Sequence, residues 1–269
     1  VVRYAVNCSL LFTGLPPLER PAAAAAAGFG AVEFWWPWPD APVPPAAEVD
    51  AFCAAIEDAG VRLVALNAYA GDLPGGERGV LSHPGRVAEF RASLDVLAEI
   101  AGRTGVRRFN TLYGQRIAGS DAAEQARTAD ANLAHMAGTV PGTILIEPLA
   151  RGLNGDYPLA TAADATAVVA RARAAGVADV AFLLDTFHLA HNGDDPVKAA
   201  HSDVLGHVQF ADAPGRGRPG SGAVDFAGVL AALGAAGYDG WVSLEYVPAD
   251  PAAEDFSYLD RLGPTEDTA

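Results

Sequence analysis

The chain has 269 residues, 51% of them hydrophobic, and a formal net charge of −15. That length suits one large domain or two small ones, and the acidic balance excludes a nucleic-acid groove, which would need a basic stripe. Any anionic substrate must be held by local arginines. Only Lys198 among the 18 basic residues is a lysine, and its polar, Asp-rich surroundings offer no nucleophile for Schiff-base chemistry. No apolar run reaches the roughly 18 residues of a membrane span, and the N-terminus lacks a signal-peptide layout. Cys8 and Cys53 cannot frame a disulfide scaffold and fit buried thiols in a reducing cytoplasm.

In chain order the pattern is strand, turn, helix, turn. Tyr4 to Leu11 reads as the first strand, ending near Asn7 to Phe12, followed by an alanine-rich helix closing at Gly28. Ala31 to Trp35 is the second strand, with Glu33 inside it, and Pro45 to Ala59 is a helix ended by Gly60. Arg62 to Ala68 is the third strand, and Gly71 to Gly79 is a long irregular loop. Arg86 to Arg103 has amphipathic helical spacing, Arg107 to Tyr113 is the fourth strand, and Asp121 starts a helix reaching Ala137. Thr143 to Glu147 is the fifth strand and Thr161 to Ala175 a helix. The sixth strand ends at Asp185 and is followed by a short helix around Pro196 to His201. The seventh ends at Gln209, Asp225 to Ala236 is a helix, and the eighth ends at Glu245, leaving a polar tail over 250–269.

Five helix ends share one signature, a glycine followed by an apolar residue: Gly28-Phe, Gly60-Val, Gly105-Val, Gly176-Val and Gly237-Tyr. Glycine stops the helix and the apolar residue turns the chain towards the next strand. Eight strand candidates and these joints predict an α/β fold, a single (β/α)8 TIM barrel spanning 1–269. The rival, a doubly wound open sheet, lacks a G-x-G-x-x-G after the first strand.

Four apolar strands run into an oxygen donor: Glu147, Asp185, Gln209 and Glu245. A charge at the end of a buried strand is costly unless something pairs with it, and a shared divalent cation is the simplest partner. An all-oxygen set favours Mg²⁺ or Mn²⁺ over zinc; the bland alternative is that some of these groups only cap loops or pair with arginines. Such a site suits proton transfer beside a carbonyl, with Glu147 and Glu245 facing one another across a small substrate and an enediolate between the two steps. His188, just past Asp185, is either structural or a donor to a substrate hydroxyl. His207, two residues before Gln209, is placed to orient its amide. Arg216, in a Gly/Pro-rich turn, is the first candidate for a substrate acid and Arg78 the second. Asn67, in the third strand, joins the substrate-binding candidates. Trp35, Trp36 and Trp38 either wall the pocket or form a subunit contact, which leaves a homo-oligomer open. The loop 71–79 is placed to close over substrate.

The motifs Asn7-Cys-Ser-Leu-Leu-Phe12, Gly30-Ala-Val-Glu33-Phe, Gly76-Glu-Arg-Gly79, Ile146-Glu-Pro148 and Gly206-His-Val-Gln-Phe-Ala-Asp212 point to one family. Through them, and through Arg216 to Gly222 and Gly240-Trp241 with Glu245-Tyr246, the chain resembles the hydroxypyruvate isomerase family within the xylose isomerase-like barrels. The resemblance implies metal ligands at Glu147, Asp185, Gln209 and Glu245 and acid–base glutamates at Glu147 and Glu245. It implies a small hydroxy-oxo acid substrate, with hydroxypyruvate and 2-hydroxy-3-oxopropanoate interconverted. Related ketose epimerases usually carry histidine where this chain has Gln209, and 2-oxo-tetronate isomerases look much alike. A basic residue common after the fourth strand in that family has Gln115 and Arg116 as its nearest equivalents here. Rival readings are a ketose epimerase, a metal-dependent DNA endonuclease, which would need more histidines and a basic face, and a metabolite-binding barrel without turnover.

Overall fold

The computed structural model describes residues 2–251 and 254–262, and within them eight parallel strands close into a barrel in sequence order. The strands are β1 (Arg3–Asn7), β2 (Ala31–Phe34), β3 (Arg62–Asn67), β4 (Arg108–Asn110), β5 (Thr143–Ile146), β6 (Val180–Asp185), β7 (Leu205–Phe210) and β8 (Trp241–Leu244). β1 pairs with β8, with Arg3 opposite Trp241 and Val6 opposite Leu244, so no sheet edge is left open. The helices are α1 (Arg20–Ala26), α2 (Ala46–Asp58), α3 (Val87–Thr104), α4 (Ala122–Thr139), α5 (Ala162–Ala174), α6 (Thr186–His191), α7 (Pro196–Ala199) and α8 (Phe226–Ala235). Their apolar faces pack on the outside of the strands in one continuous core that includes Phe90, Phe109, Phe182 and Phe210.

The inner faces of the strands change character along their length. Ala5, Ala31, Leu145, Ala181, Leu183 and Trp241 form small separate apolar clusters near the strand starts. The side-chain period of two then places Asn7, Glu33, Glu147, Asp185 and Glu245 on those same faces at the carboxyl ends. All five are buried. The sequence thus fills one end of the barrel with hydrocarbon and the other with oxygen.

Gly28, Gly60, Gly105, Gly176 and Gly237 all have positive φ, as the helix-stop reading requires. Asp121 and Thr161 cap α4 and α5, and Thr161 forms a reciprocal capping box with Asp164.

One strand ends at the early side of its expected range and another falls well short of it. β1 stops at Asn7 because the Asn7 side chain accepts from Ser9 N–H at 2.9 Å and its carbonyl accepts from Leu11 N–H at 2.9 Å, which turns the chain. β4 stops at Asn110 because Tyr113 turns to other partners: its carbonyl accepts from Ser82 N–H and its own N–H donates to the Tyr157 hydroxyl. The six-residue α6 was not foreseen. It starts directly on β6, with the Asp185 carboxylate accepting from Phe187 and His188 N–H at 2.8 and 3.1 Å. No loop separates strand from helix, so no loop composition announces it.

The expected polar tail falls partly on residues 252–253 and 263–269, outside the described residues. Within 254–262, the turn Ser257–Arg261 buries Tyr258 and Leu259, and Phe256 packs edge-on against Phe29 with centroids 4.8 Å apart. Among the described residues no helix is long and apolar enough to cross a membrane.

Candidate active site

A cavity of about 350 Å³ opens at the carboxyl ends of the strands. Asn67, Arg78, Glu147, His188, Arg216 and Glu245 line it, and Trp35 and Trp36 form part of its wall. Asp185 and Gln209 lie beneath, both with no exposed surface. Trp38 instead packs edge-on against Trp36 and Phe52.

Arg116 is the exception among the expected residues. It does not line this cavity but a separate one of about 250 Å³, with Tyr113, Asp164 and Arg171. The backbone holds Arg116 on that side, its N–H donating to the Asp156 carbonyl at 2.8 Å. Gln115 turns towards the mouth, where its amide donates to Gly76 and Asn154 carbonyls at 3.1 and 3.0 Å.

Four carboxylates, Glu33, Glu147, Asp185 and Glu245, crowd the floor of the cavity. Glu147 accepts from Asn110 Nδ2 at 2.6 Å through Oε2, while its Oε1 is buried without a partner. Burial first and then the nearby Asp185 charge push the Glu147 carboxyl up to about 8. Glu245 accepts from Asn7 Nδ2 at 3.1 Å and from Trp35 Nε1 at 3.2 Å. Burial drives its pKa well above the usual range; Arg216 opposes that, while Glu33, Glu147 and Asp185 add to it. Asp185 is raised by burial and held back by Arg216 and by the two N–H groups it caps.

Arg216 supplies the positive charge among them. Its Nη2 donates to Glu245 at 2.6 Å and to Asp185 Oδ2 at 3.1 Å. These carboxylates keep the guanidinium protonated against its own burial. Arg78, the second arginine, is held by Asn154 Oδ1 at 2.9 Å and by the Leu73 and Glu77 carbonyls. Its pKa is lowered by burial and then by Arg216, so the two cations face one shared space. The loop that carries Arg78 depends on Gly79, which has a φ of 103° and whose missing Cβ would collide with the Leu112 carbonyl.

His188 Nδ1 accepts from Ala150 N–H at 3.0 Å, and burial lowers its pKa well below the usual value. The neutral ring then carries its proton on Nε2, which points towards Glu147 Oε1 at 3.6 Å. Arg216 Nη1 lies 3.0 Å from the same Nε2, which sets two donors face to face and gives Arg216 no anchor there.

Glu147, Asp185 and His188 offer ligand atoms within 4.8 Å of one another, a group that could hold a metal ion. The buried, unpartnered Glu147 Oε1 and Gln209 Oε1 show that the floor has unused oxygen donors as well. A hard divalent cation fits that donor set.

Sequence reasoning missed three floor residues. Glu33, on β2, accepts from His207 Nε2 at 2.6 Å, from Asn7 Nδ2 at 2.9 Å and from Gln209 Nε2. Its signal was present: a carboxylate in the middle of an apolar strand needs buried partners. Asn7 and Asn110, at the ends of short strands, gave no comparable signal. His207 reaches Gln209 through Glu33 rather than by touching the amide.

Residues 21–262 match the family described as xylose isomerase-like TIM barrel. A Streptomyces coelicolor protein provisionally named hydroxypyruvate isomerase is 52% identical over 265 residues, which is 96% of this chain and 95% of that protein. The chain belongs to the hydroxypyruvate isomerase family of xylose isomerase-like barrels. Other relatives in that family include the Escherichia coli hydroxypyruvate isomerase, 26% identical over 97% of this chain and 99% of its own length. A Cupriavidus necator 2-oxo-tetronate isomerase is 33% identical over 91% of this chain and 93% of its own. Among solved structures, one from Brucella melitensis described as an AP endonuclease of family 2 superposes with a TM-score of 0.83 at 29% identity, covering 93% of this chain and 95% of that one.

Proposed function

We propose that this member of the hydroxypyruvate isomerase family interconverts hydroxypyruvate and 2-hydroxy-3-oxopropanoate, with Glu147 and Glu245 moving the proton. The observation that carries the reading is the pair itself: two glutamates of one cavity, each with its pKa raised by burial. A carboxyl poised near neutrality can both take and return a proton. One removes the hydrogen beside the carbonyl, and the other delivers a proton to the neighbouring carbon of the enediolate.

Glu147, Asp185, Gln209 and Glu245 are the residues that would hold a divalent cation, Mg²⁺ or Mn²⁺. When bound, such an ion supplies polarisation of the carbonyl and of the adjacent hydroxyl. His188 is assigned outside that set. With Ala150 N–H on Nδ1, its Nε2–H acts as a donor to a substrate oxygen rather than as a lone pair for a metal. Arg216 and Arg78 take the substrate carboxylate, Arg216 trading its contacts with Asp185 and Glu245 for it. Asn67, whose Oδ1 is buried without a partner, accepts from a substrate hydroxyl. Trp35, Trp36 and the loop residues Leu73 and Pro74 exclude water.

A second reading, isomerisation of a four-carbon 2-oxo acid, is favoured by the similarity to the Cupriavidus necator enzyme. An endonuclease role, suggested by the name of the Brucella melitensis chain, conflicts with the net charge of −15. Buried, unpaired Cys8 and Cys53 suit the reducing cytoplasm we propose as the enzyme's location.

The test is to follow hydroxypyruvate and a 2-oxo-tetronate by NMR in D₂O with Mg²⁺, Mn²⁺ or EDTA. Deuterium uptake beside the carbonyl, absent in Glu147→Gln and Glu245→Gln, is the expected result. A folded, cation-supplied protein that exchanges no proton in either acid refutes the reading.

A further inference from the structure

Glu33 is the most buried charge that the proposed chemistry leaves without a task. It has no exposed surface and does not itself line the cavity. Neighbouring side chains hold both of its oxygens: Oε2 accepts from His207, and Oε1 from both Asn7 and Gln209.

The bond to Gln209 has a chemical consequence. The two ends of a glutamine amide have nearly the same shape but opposite hydrogen-bonding character. An ionised carboxylate only accepts, so Glu33 must face the NH₂ end. His207 Nε2 on one oxygen and the Asn7 and Gln209 amide nitrogens on the other leave both Glu33 oxygens acting as acceptors. The oxygen of Gln209 is thereby turned the other way, where it lies buried with no protein partner. Were the amide reversed, the floor would present two N–H groups to the place where a cation is expected, and no cation accepts such ligands.

We propose that Glu33 is a positioning residue that aims the Gln209 amide oxygen into the floor of the cavity and thereby sets the cation affinity of the site. It does so from the opposite side of the amide, without contributing a ligand. His207 secures the far oxygen of Glu33, and Asn7 extends the same chain of contacts to Glu245 Oε2. This inference rests on the cation site proposed above. It goes further in making that site depend on a residue of β2, outside the strands that carry the ligands.

The experiment is a Mn²⁺ titration of the full chain, reading free Mn²⁺ by its electron paramagnetic resonance signal. Wild type is compared with Glu33→Leu, Gln209→Leu and the double variant, each checked for a cooperative thermal transition. Glu33→Leu removes the acceptor and is expected to weaken Mn²⁺ binding by about tenfold or more, the range found for residues that orient metal ligands. Because Glu33 acts through Gln209, the double variant is expected to bind no worse than Gln209→Leu alone. A purely structural Glu33 would give melting losses with unchanged Mn²⁺ affinity, or losses that multiply in the double variant, and either result overturns the proposal. Should Glu33→Leu not fold, Glu33→Gln is read instead. Its single oxygen serves only one of the two donor sides, so a loss of about threefold is expected, and wild-type affinity refutes the assignment. Absence of Mn²⁺ and Mg²⁺ binding to the wild-type protein overturns the cation site and this inference together. Binding that ignores Glu33 overturns this inference alone.

Discussion

Two fully buried glutamates of this barrel sit in opposite electrostatic conditions. Glu33 is surrounded by donors and is held down to about 2 after burial has been overcome. Glu147 has one donor, Asn110, and an acidic neighbour, and is pushed up to about 8. Burial acts on both alike. What differs is the company: His207, Gln209 and Asn7 on one side, Asp185 on the other. One region of the floor is therefore a fixed scaffold with its charge compensated, while the other keeps a carboxyl able to change protonation near neutrality.

The comparison breaks most visibly at the two glutamates proposed for proton transfer. Glu147→Gln or Glu245→Gln is expected to lower turnover by about a thousandfold while leaving the fold intact, measured as isomerisation rate beside a thermal melt. A smaller loss, about a hundredfold, is expected when EDTA removes divalent cations, and Mn²⁺ or Mg²⁺ should restore the rate.

The raised Glu147 pKa sharpens the contrast through pH. Below about 8 this carboxyl is protonated, so a cation taken up at Glu147 must displace that proton. Mn²⁺ affinity should fall by about tenfold or more for each pH unit below that value, as read by titration calorimetry. A flat profile between pH 6 and 8 would show that Glu147 is already ionised.

Smaller effects are expected at the arginines. Arg78→Met should raise KM for an acid substrate by about tenfold or more through loss of a charge-assisted hydrogen bond, with little change in kcat. Arg116→Met, in the separate cavity, should leave both constants within about twofold.

The architecture and the ends of the strands were largely legible in the sequence, because burial on both faces forces apolar runs and glycine marks the helix stops. Glu147, Asp185, Gln209 and Glu245 stood out as polar residues ending such runs. Glu33 gave the same warning from mid-strand, but its partners His207, Gln209 and Asn7 lie on β7 and β1, and only barrel closure brings them together. Arg116 misled because sequence proximity to a strand end does not fix which way a side chain turns. Asn110 and Asn154 were invisible for a related reason: a single asparagine at a strand end or in a turn signals local geometry first.

The cap at the start of α6 has a consequence for how many oxygens the floor can offer. Asp185 Oδ1 is committed to the backbone of Phe187 and His188, Glu147 Oε2 to Asn110, and Glu245 Oε2 to Asn7. Glu147 Oε1 and Gln209 Oε1 stand without a donor, while Asp185 Oδ2 and Glu245 Oε1 accept from Arg216 and would be released by its move to a substrate acid. If these residues hold a small divalent ion, one oxygen from each would leave part of its shell open to substrate oxygens. Monodentate denticity, imposed by ordinary capping bonds, would reserve part of the ion's shell for the substrate.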